Sequence, residues 1–292
     1  MVKLYSISEL VNKAEETGQR ISDLVIEYEM KSSDLTKKEI LAQTEKQLEV
    51  MRDAAQKGIE HTEYTQSGMI SDEAGRIYRA IEEGKTITKG IVPLALAKSI
   101  GIATINANMG KIVAGPTAGS CGILPGALLA VAEIKQLDDE DIIRGLLAAA
   151  GLGTVVARQA TLAGAAGGCQ AECGVGSAMA AGGIVEMLGG SPEQVSHAFA
   201  LALKNMLGLV CDPVAGLVEV PCIKRNGLAA SHGISSAELS LAGIKSVIPA
   251  DEVIEAMAEV GNALPISLKE TSQGGLAVTE TGKKIAEEFL NS

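Results

Sequence analysis

The stretch DDEDIIRGLLAAAGLGTVVARQA, residues 138–160, decides the fold class, because it is far longer than the ~5–6 residues of an ordinary strand. It reads as a helix. The same holds for VGSAMAAGGIVEML, residues 175–188. No sustained alternation of β-branched residues occurs along the chain, so any sheet is minor. The expected fold is all-α, a Gly/Ala-rich multi-helix domain with at most minor β structure.

Working outward, Ser191-Pro192-Glu193 combines a capping hydroxyl, a proline suited to the first helical position and an acid that complements the helix dipole. A helix should follow through His197 to about Met206. Another is expected over residues 249–262, and a polar terminal helix near Thr281. On the amino-terminal side, Ser6 and Ser8 can cap a first helix, residues 21–30 are amphipathic, and residues 36–58 carry Ile40, Leu41, Leu48 and Met51 at helical spacing. Residues 1–85 thus read as a polar helical layer. After Gly84 charges thin out and Gly/Ala-rich segments follow one another. Residues 86–292 form the expected catalytic core, and the two parts can equally be one domain, 1–292.

The 292 residues include no Trp, two Phe and four Tyr, so bulk comes from aliphatic side chains and a heavy load of Ala and Gly. Small residues favour closely crossed helices. The lack of aromatics and a formal charge of −11 argue against nucleic acid as a partner. The start, MVKLYSISELVNKAEE, lacks the apolar core of a signal peptide, and Arg158 and Gln159 interrupt the most apolar stretch before it reaches the ~20 residues of a membrane span. A cytoplasmic protein with no membrane partner is expected. Five cysteines, all between residues 121 and 222, fit thiol or metal roles in a reduced compartment better than a disulfide framework.

Three cysteines lie in Gly/Pro-marked segments: Cys169 in GCQAECG, Cys211 in LVCDPVAG and Cys222 in VEVPCIKRN. Their spacings match no ferredoxin run or zinc ribbon. Backbone turns let thiolates converge on a site, but cysteine is also a small apolar core residue, and composition leaves both roles open. Cys173 can share a helix face with Cys169, and Cys121 sits in AGPTAGSCGILPG, residues 114–126; packing is the simpler role for both. That glycine-rich turn offers backbone N–H groups to an anion, with Thr117 and Ser120 as hydroxyl donors, or is simply a helix entry. Lys224-Arg225-Asn226 can clamp a carboxylate or form a solvated turn. His61, His197 and His232 each read more simply as structural.

Together the stretches SGMISDEAG, AGPTAGSCGILPG, GGCQAECGVGSAMAA, ALALKNMLGLVCDPVAGLVEVPCIKRN and LPISLKETSQGGLAVTETG resemble the iron–sulfur-dependent L-serine dehydratases, specifically the alpha chain of the two-subunit form. The resemblance covers essentially the whole chain. It implies a 4Fe-4S cluster held by Cys169, Cys211 and Cys222, with one iron left to activate the hydroxyl of L-serine as the substrate is converted to pyruvate and ammonia. Thr117, Ser120 and Asn226 become candidate substrate-binding residues, Lys224 and Arg225 candidate catalytic ones, and a beta subunit the expected partner. Single-chain members carry a further domain with a Ser-Ser-His-Thr segment, and some end in a cysteine that occupies the open iron; here the sequence ends Phe-Leu-Asn-Ser, so self-capping is not expected. Two alternatives remain: a pyridoxal-phosphate dehydratase with TSQGGLA, from Thr271, as phosphate loop, and a non-catalytic iron or thiol scaffold or sensor. The absence of alternating strand and helix signals weighs against the first.

Overall fold

The computed structural model describes residues 4–291. The first three residues and the final Ser of Phe-Leu-Asn-Ser therefore lie outside the described residues. The amino-terminal part holds α1 (Ile7–Thr17), α2 (Ile21–Ser32) and α3 (Lys37–Glu60). Ser6 caps α1 by accepting the Glu9 amide, and Thr36 and Glu39 form a reciprocal capping box on α3. Next come α4 (Glu73–Glu82), α5 (Ile91–Ala107), α6 (Ile123–Lys135), α7 (Asp139–Gln159) and the single turn α8 (Gly164–Gly167). A π turn over Gln170–Gly174 leads into α9 (Val175–Met187), followed by α10 (Pro192–Lys204), α11 (Cys222–Leu241), α12 (Ala250–Ala263) and α13 (Glu280–Leu290). The architecture is all-α. Among the described residues the sole strand-like pairing is one parallel bridge, Cys211 to Lys269.

Helix α9 is the axis of the molecule. All of its residues are buried, which is why VGSAMAAGGIVEM shows no polar face, and α6, α7, α10 and α11 pack around it. Glycine sets the closeness of its crossing with α7: a Cβ on Gly145 or on Gly183 would lie 2.8 Å from the other's carbonyl oxygen. One apolar cluster runs from Leu4, Ile7 and Leu24 through Leu128, Leu152 and Phe199 to Met257. The amino-terminal helices therefore share the buried interior with those around α9.

Asp251, in the first turn of α12, fixes α1. Its carboxylate accepts the Ile7 and Ser8 amides at 2.8 and 2.9 Å and the Ser6 and Ser8 hydroxyls at 3.0 and 2.6 Å. Ser8 thus serves this tertiary contact rather than capping its own helix.

The sequence outline places α1 to α3, α7, α9, α10, α12 and α13 within a few residues of their ends. It leaves out α4, α5, the π turn and the helical nature of the segment after Pro221. Helix α5 carries Pro93 and Gly101, which blur its pattern; Pro93 falls in the first turn, where the missing N–H breaks no helical bond. No described helix is long and apolar enough to cross a membrane.

Candidate functional site

Chain topology brings the quoted motif stretches together around the start of α11. Cys222 is the first residue of that helix, and Lys224, Arg225 and Asn226 occupy its first two turns. Asn226 is fully buried and spends its amide on backbone: Oδ1 accepts the Gly122 N–H at 2.9 Å, while Nδ2 donates to the Gly119 carbonyl at 2.8 Å and to the Cys222 carbonyl at 2.9 Å. It braces the glycine-rich turn against α11. Glu219, also buried, accepts the hydroxyls of Thr65 at 2.5 Å and Ser67 at 2.6 Å, which docks the start of SGMISDEAG just before Cys222.

Lys224 and Arg225 point apart. Lys224 is half exposed and pairs with Glu73 at 3.1 Å, where burial would raise the Glu73 pKa but the Ser71 amide and Lys224 hold it below the usual value. Arg225 turns inward, with Nη2 2.9 Å from Asp212 Oδ1 and Nη1 donating to the Val210 carbonyl at 2.9 Å. Burial lowers its pKa, but Cys169 and Asp212 outweigh that and leave it above the usual value. It is a mostly buried, permanently charged cation beside a thiol.

Cys169 and Cys222 feel the charge of this cation, and Cys211, from a third segment, feels both of those thiols. Cys169 leads into the π turn, a local widening that often marks functional sites. Its sulfur lies 3.3 Å from that of Cys173. The Cys173 thiol, by hydrogen bonding, and Arg225, by charge, lower the Cys169 pKa, whereas Cys173 is pushed well up. Of this pair Cys169 is the better thiolate. Cys211 lies beyond the end of α10 on an extended segment, its amide donating to the Leu268 carbonyl at 2.9 Å and its carbonyl accepting the Glu270 amide at 2.8 Å. These bonds bring the LPISLKE stretch to the site. Burial raises the Cys211 pKa, and burial with the nearby Cys169 raises that of Cys222 to about 12. Cys121 stands apart: it is wholly buried, and burial raises its pKa to about 12 with no other cysteine contributing.

Among the described residues, no group of three or more His, Cys, Asp or Glu side chains closes on one point as a single-ion site requires. An iron–sulfur cluster asks for something different, one thiolate per ligated iron. Cys169, Cys211 and Cys222 are the candidates for that role. They come from separate segments, influence one another's ionisation and have a fixed cation beside them to offset thiolate charge. Gly164 lets two of the walls close on its α-carbon, since a Cβ there would lie 2.7 Å from Glu172 Oε2 and 3.2 Å from Cys211 Sγ.

The glycine-rich turn forms another wall. Thr117 Oγ1 lies 3.0 Å from Ser120 Oγ, and the Thr117 amide donates to that same Ser120 oxygen at 3.3 Å. Ser120 is fully buried and holds the turn's shape, whereas Thr117 donates its hydroxyl across the site to Glu172 at 2.8 Å. Glu172 was not among the sequence candidates. It is, however, the sole charged residue between Arg158 and Glu186, and a lone acid in so apolar a run is a signal. The histidines lie outside this centre: His61 is next to Asn108, His197 within α10 near Glu193, and His232 against the Ala202 carbonyl. The TSQGGLA stretch gives its Leu276 amide to buried Asp212 at 2.8 Å, an acidic neighbour unsuited to a phosphate loop.

Fold and site define an all-helical protein with a cysteine-lined polar centre assembled where four chain segments meet. The chain belongs to the serine dehydratase alpha chain family, whose model matches residues 16–277. It is 47% identical to the probable L-serine dehydratase, alpha chain, of Bacillus subtilis over 98% of this chain and 95% of that protein. It is 45% identical to the L-serine dehydratase, alpha chain, of Peptoniphilus asaccharolyticus over 98% of both. L-serine dehydratase 2 of Escherichia coli is 36% identical; there the match takes in 94% of this chain but 61% of the relative.

Proposed function

We propose that this chain is the alpha subunit of an iron–sulfur L-serine dehydratase that converts L-serine to pyruvate and ammonia together with a beta subunit. The observation that carries the reading is that Cys169, Cys211 and Cys222 lie near enough to influence one another's ionisation, with mostly buried Arg225 beside Cys169, in a chain nearly half identical to proteins named L-serine dehydratase, alpha chain. The beta subunit enters because those relatives are named alpha chains and because the chain matches only 61% of the Escherichia coli protein.

Cys169, Cys211 and Cys222 would hold the 4Fe-4S cluster. When bound, it supplies a Lewis-acidic iron that makes the serine hydroxyl a better leaving group. The remaining work falls to protein groups. The turn after Pro116 has three successive amides, Ala118, Gly119 and Ser120, that no described group engages, and these receive the substrate carboxylate. Arg225, held by Asp212 and the Val210 carbonyl, keeps positive charge at Cys169. Asn226 fixes the distance between turn and thiols. Loss of the α-proton and the hydroxyl yields aminoacrylate, which water converts to pyruvate and ammonia.

The protein, co-purified with its candidate beta subunit without oxygen, should form pyruvate from L-serine and lose that activity when its iron is removed by chelation. Pyruvate formation that survives iron removal, or depends on added pyridoxal phosphate, would contradict the proposal.

A further inference from the structure

Glu172 is a partly buried carboxylate for which the free protein supplies no positive partner. It sits in the π turn, one residue before Cys173, and burial raises its pKa with Glu270 adding to the rise. Among the described residues one hydrogen bond reaches it, from the Thr117 hydroxyl to Oε1 at 2.8 Å, and no Lys, Arg or His pairs with it. Oε2 accepts nothing from the described protein. It lies against Gly164, 2.7 Å from where a Cβ on that residue would stand, with Cys211 Sγ bordering the same position. On the other side both carboxylate oxygens approach the glycine-rich turn, 3.4 and 3.5 Å from where a Gly119 Cβ would lie.

Uncompensated charge in such a place is costly unless a ligand supplies the counter-charge. An anion does not fit against a carboxylate. The adjoining amides of Ala118, Gly119 and Ser120, however, suit an anion. Donors for a negative group and an acceptor for a positive one thus lie side by side, as the carboxylate and ammonium of an α-amino acid do on one carbon.

We infer that Glu172 binds the α-ammonium group of the substrate, with the turn at residues 118–120 taking the α-carboxylate, so that the site selects amino acids over hydroxy acids. This inference rests on the proposed dehydratase reading. Glu172 becomes the residue that orients the substrate Cα, and Thr117 the residue that holds Glu172 in place. A side chain at Gly164 would press on Glu172 Oε2 and so disturb this pairing.

The test compares wild-type, Glu172→Gln and Glu172→Asp forms of the oxygen-free alpha–beta holoenzyme, with L-serine as substrate and L-glycerate as competitive inhibitor. L-glycerate keeps the carboxylate and the β-hydroxyl but carries a neutral hydroxyl in place of the ammonium. In Glu172→Gln the KM for L-serine should rise about 10- to 100-fold, while the inhibition constant of L-glycerate stays within about threefold. Glu172→Asp should fall between the two, and it carries the same comparison should the Gln variant not fold. Wild-type iron content and thermal midpoint would show that the centre is intact. Parallel weakening of both ligands would overturn the inference, as would a fall in kcat with unchanged KM. Absence of pyruvate from the wild type would instead sink the dehydratase reading. Calorimetric binding of L-serine and L-glycerate to the complex then tests Glu172 alone: loss of a wild-type preference for serine in the Gln variant supports it, and no change overturns it.

Discussion

The side-chain carbonyl of Asn226 accepts the Gly122 amide at 2.9 Å, joining the helix that begins at Cys222 to the turn that carries Thr117. The same side chain donates to the Gly119 and Cys222 carbonyls. Both of its amide hydrogens are thereby used. Asn226, a candidate for touching substrate on its sequence, has a geometry that supports a bracing role.

Asn226→Ala should therefore strand buried backbone groups at Gly119 and Gly122, at about 1–3 kcal/mol for each group left unsatisfied. Denaturant unfolding should show the loss, and activity should fall because the turn is no longer held against Cys222. A midpoint unchanged within error would contradict the bracing role.

Arg225, mostly buried, pairs with buried Asp212, and removing the arginine leaves a lone charge inside. Arg225→Ala should cost about 3–5 kcal/mol, whereas Arg225→Ala with Asp212→Ala should recover part of that loss. A double variant no more stable than the single one would show that the pair does not act as a unit.

Docking of α1 should depend on pH through Asp251. Burial alone would raise the pKa of this carboxylate, but the Ser8 hydroxyl, Gln159 and the Ser8 and Ile7 amides together lower it in the folded state. A lowered folded pKa favours the native state above the unfolded carboxylate value, about 3.9, and that contribution fades as pH falls through the folded value. Asp251→Asn should lower stability at neutral pH and flatten the acid limb below about pH 4. Hydrogen exchange in α1 reads this directly, and an acid limb identical to wild type would contradict it.

Gly164 tests the spacing of the centre. Gly164→Ala places a methyl group against Glu172 and Cys211, so activity should fall at least about tenfold. Since α8 is a single turn, overall stability should change by less than about 1 kcal/mol. Full activity in this variant would show that the close approach of Glu172 and Cys211 to Gly164 does not matter to the centre.

Most of the helical outline is legible in the sequence because caps are local: Ser6, Thr36 and Ser191 each mark the residue before a helix. The helix starting at Cys222 is not legible in the same way, since Pro221 and the Lys-Arg-Asn run look like a turn. Its helicity comes from packing against α5, α9 and α10. Cysteine contexts point to Cys169, Cys211 and Cys222, yet the divergence of Lys224 from Arg225 depends on which face of α11 meets Asp212 and which meets Glu73. Such long-range pairing leaves no local trace. Glu172 had a trace, its isolation in an uncharged run, that gains meaning only once Thr117 is found beside it.

Iron and acid-labile sulfide, measured together in the oxygen-free alpha–beta complex of wild type and of Cys211→Ala, test the three-thiol centre most directly. About four of each per alpha chain are expected in wild type, with pyruvate formed from L-serine. The Cys211→Ala protein should keep its helical content but lose the normal iron complement and the activity. Wild-type iron and sulfide in that variant, or serine dehydration by an iron-free wild type, would contradict the assignment.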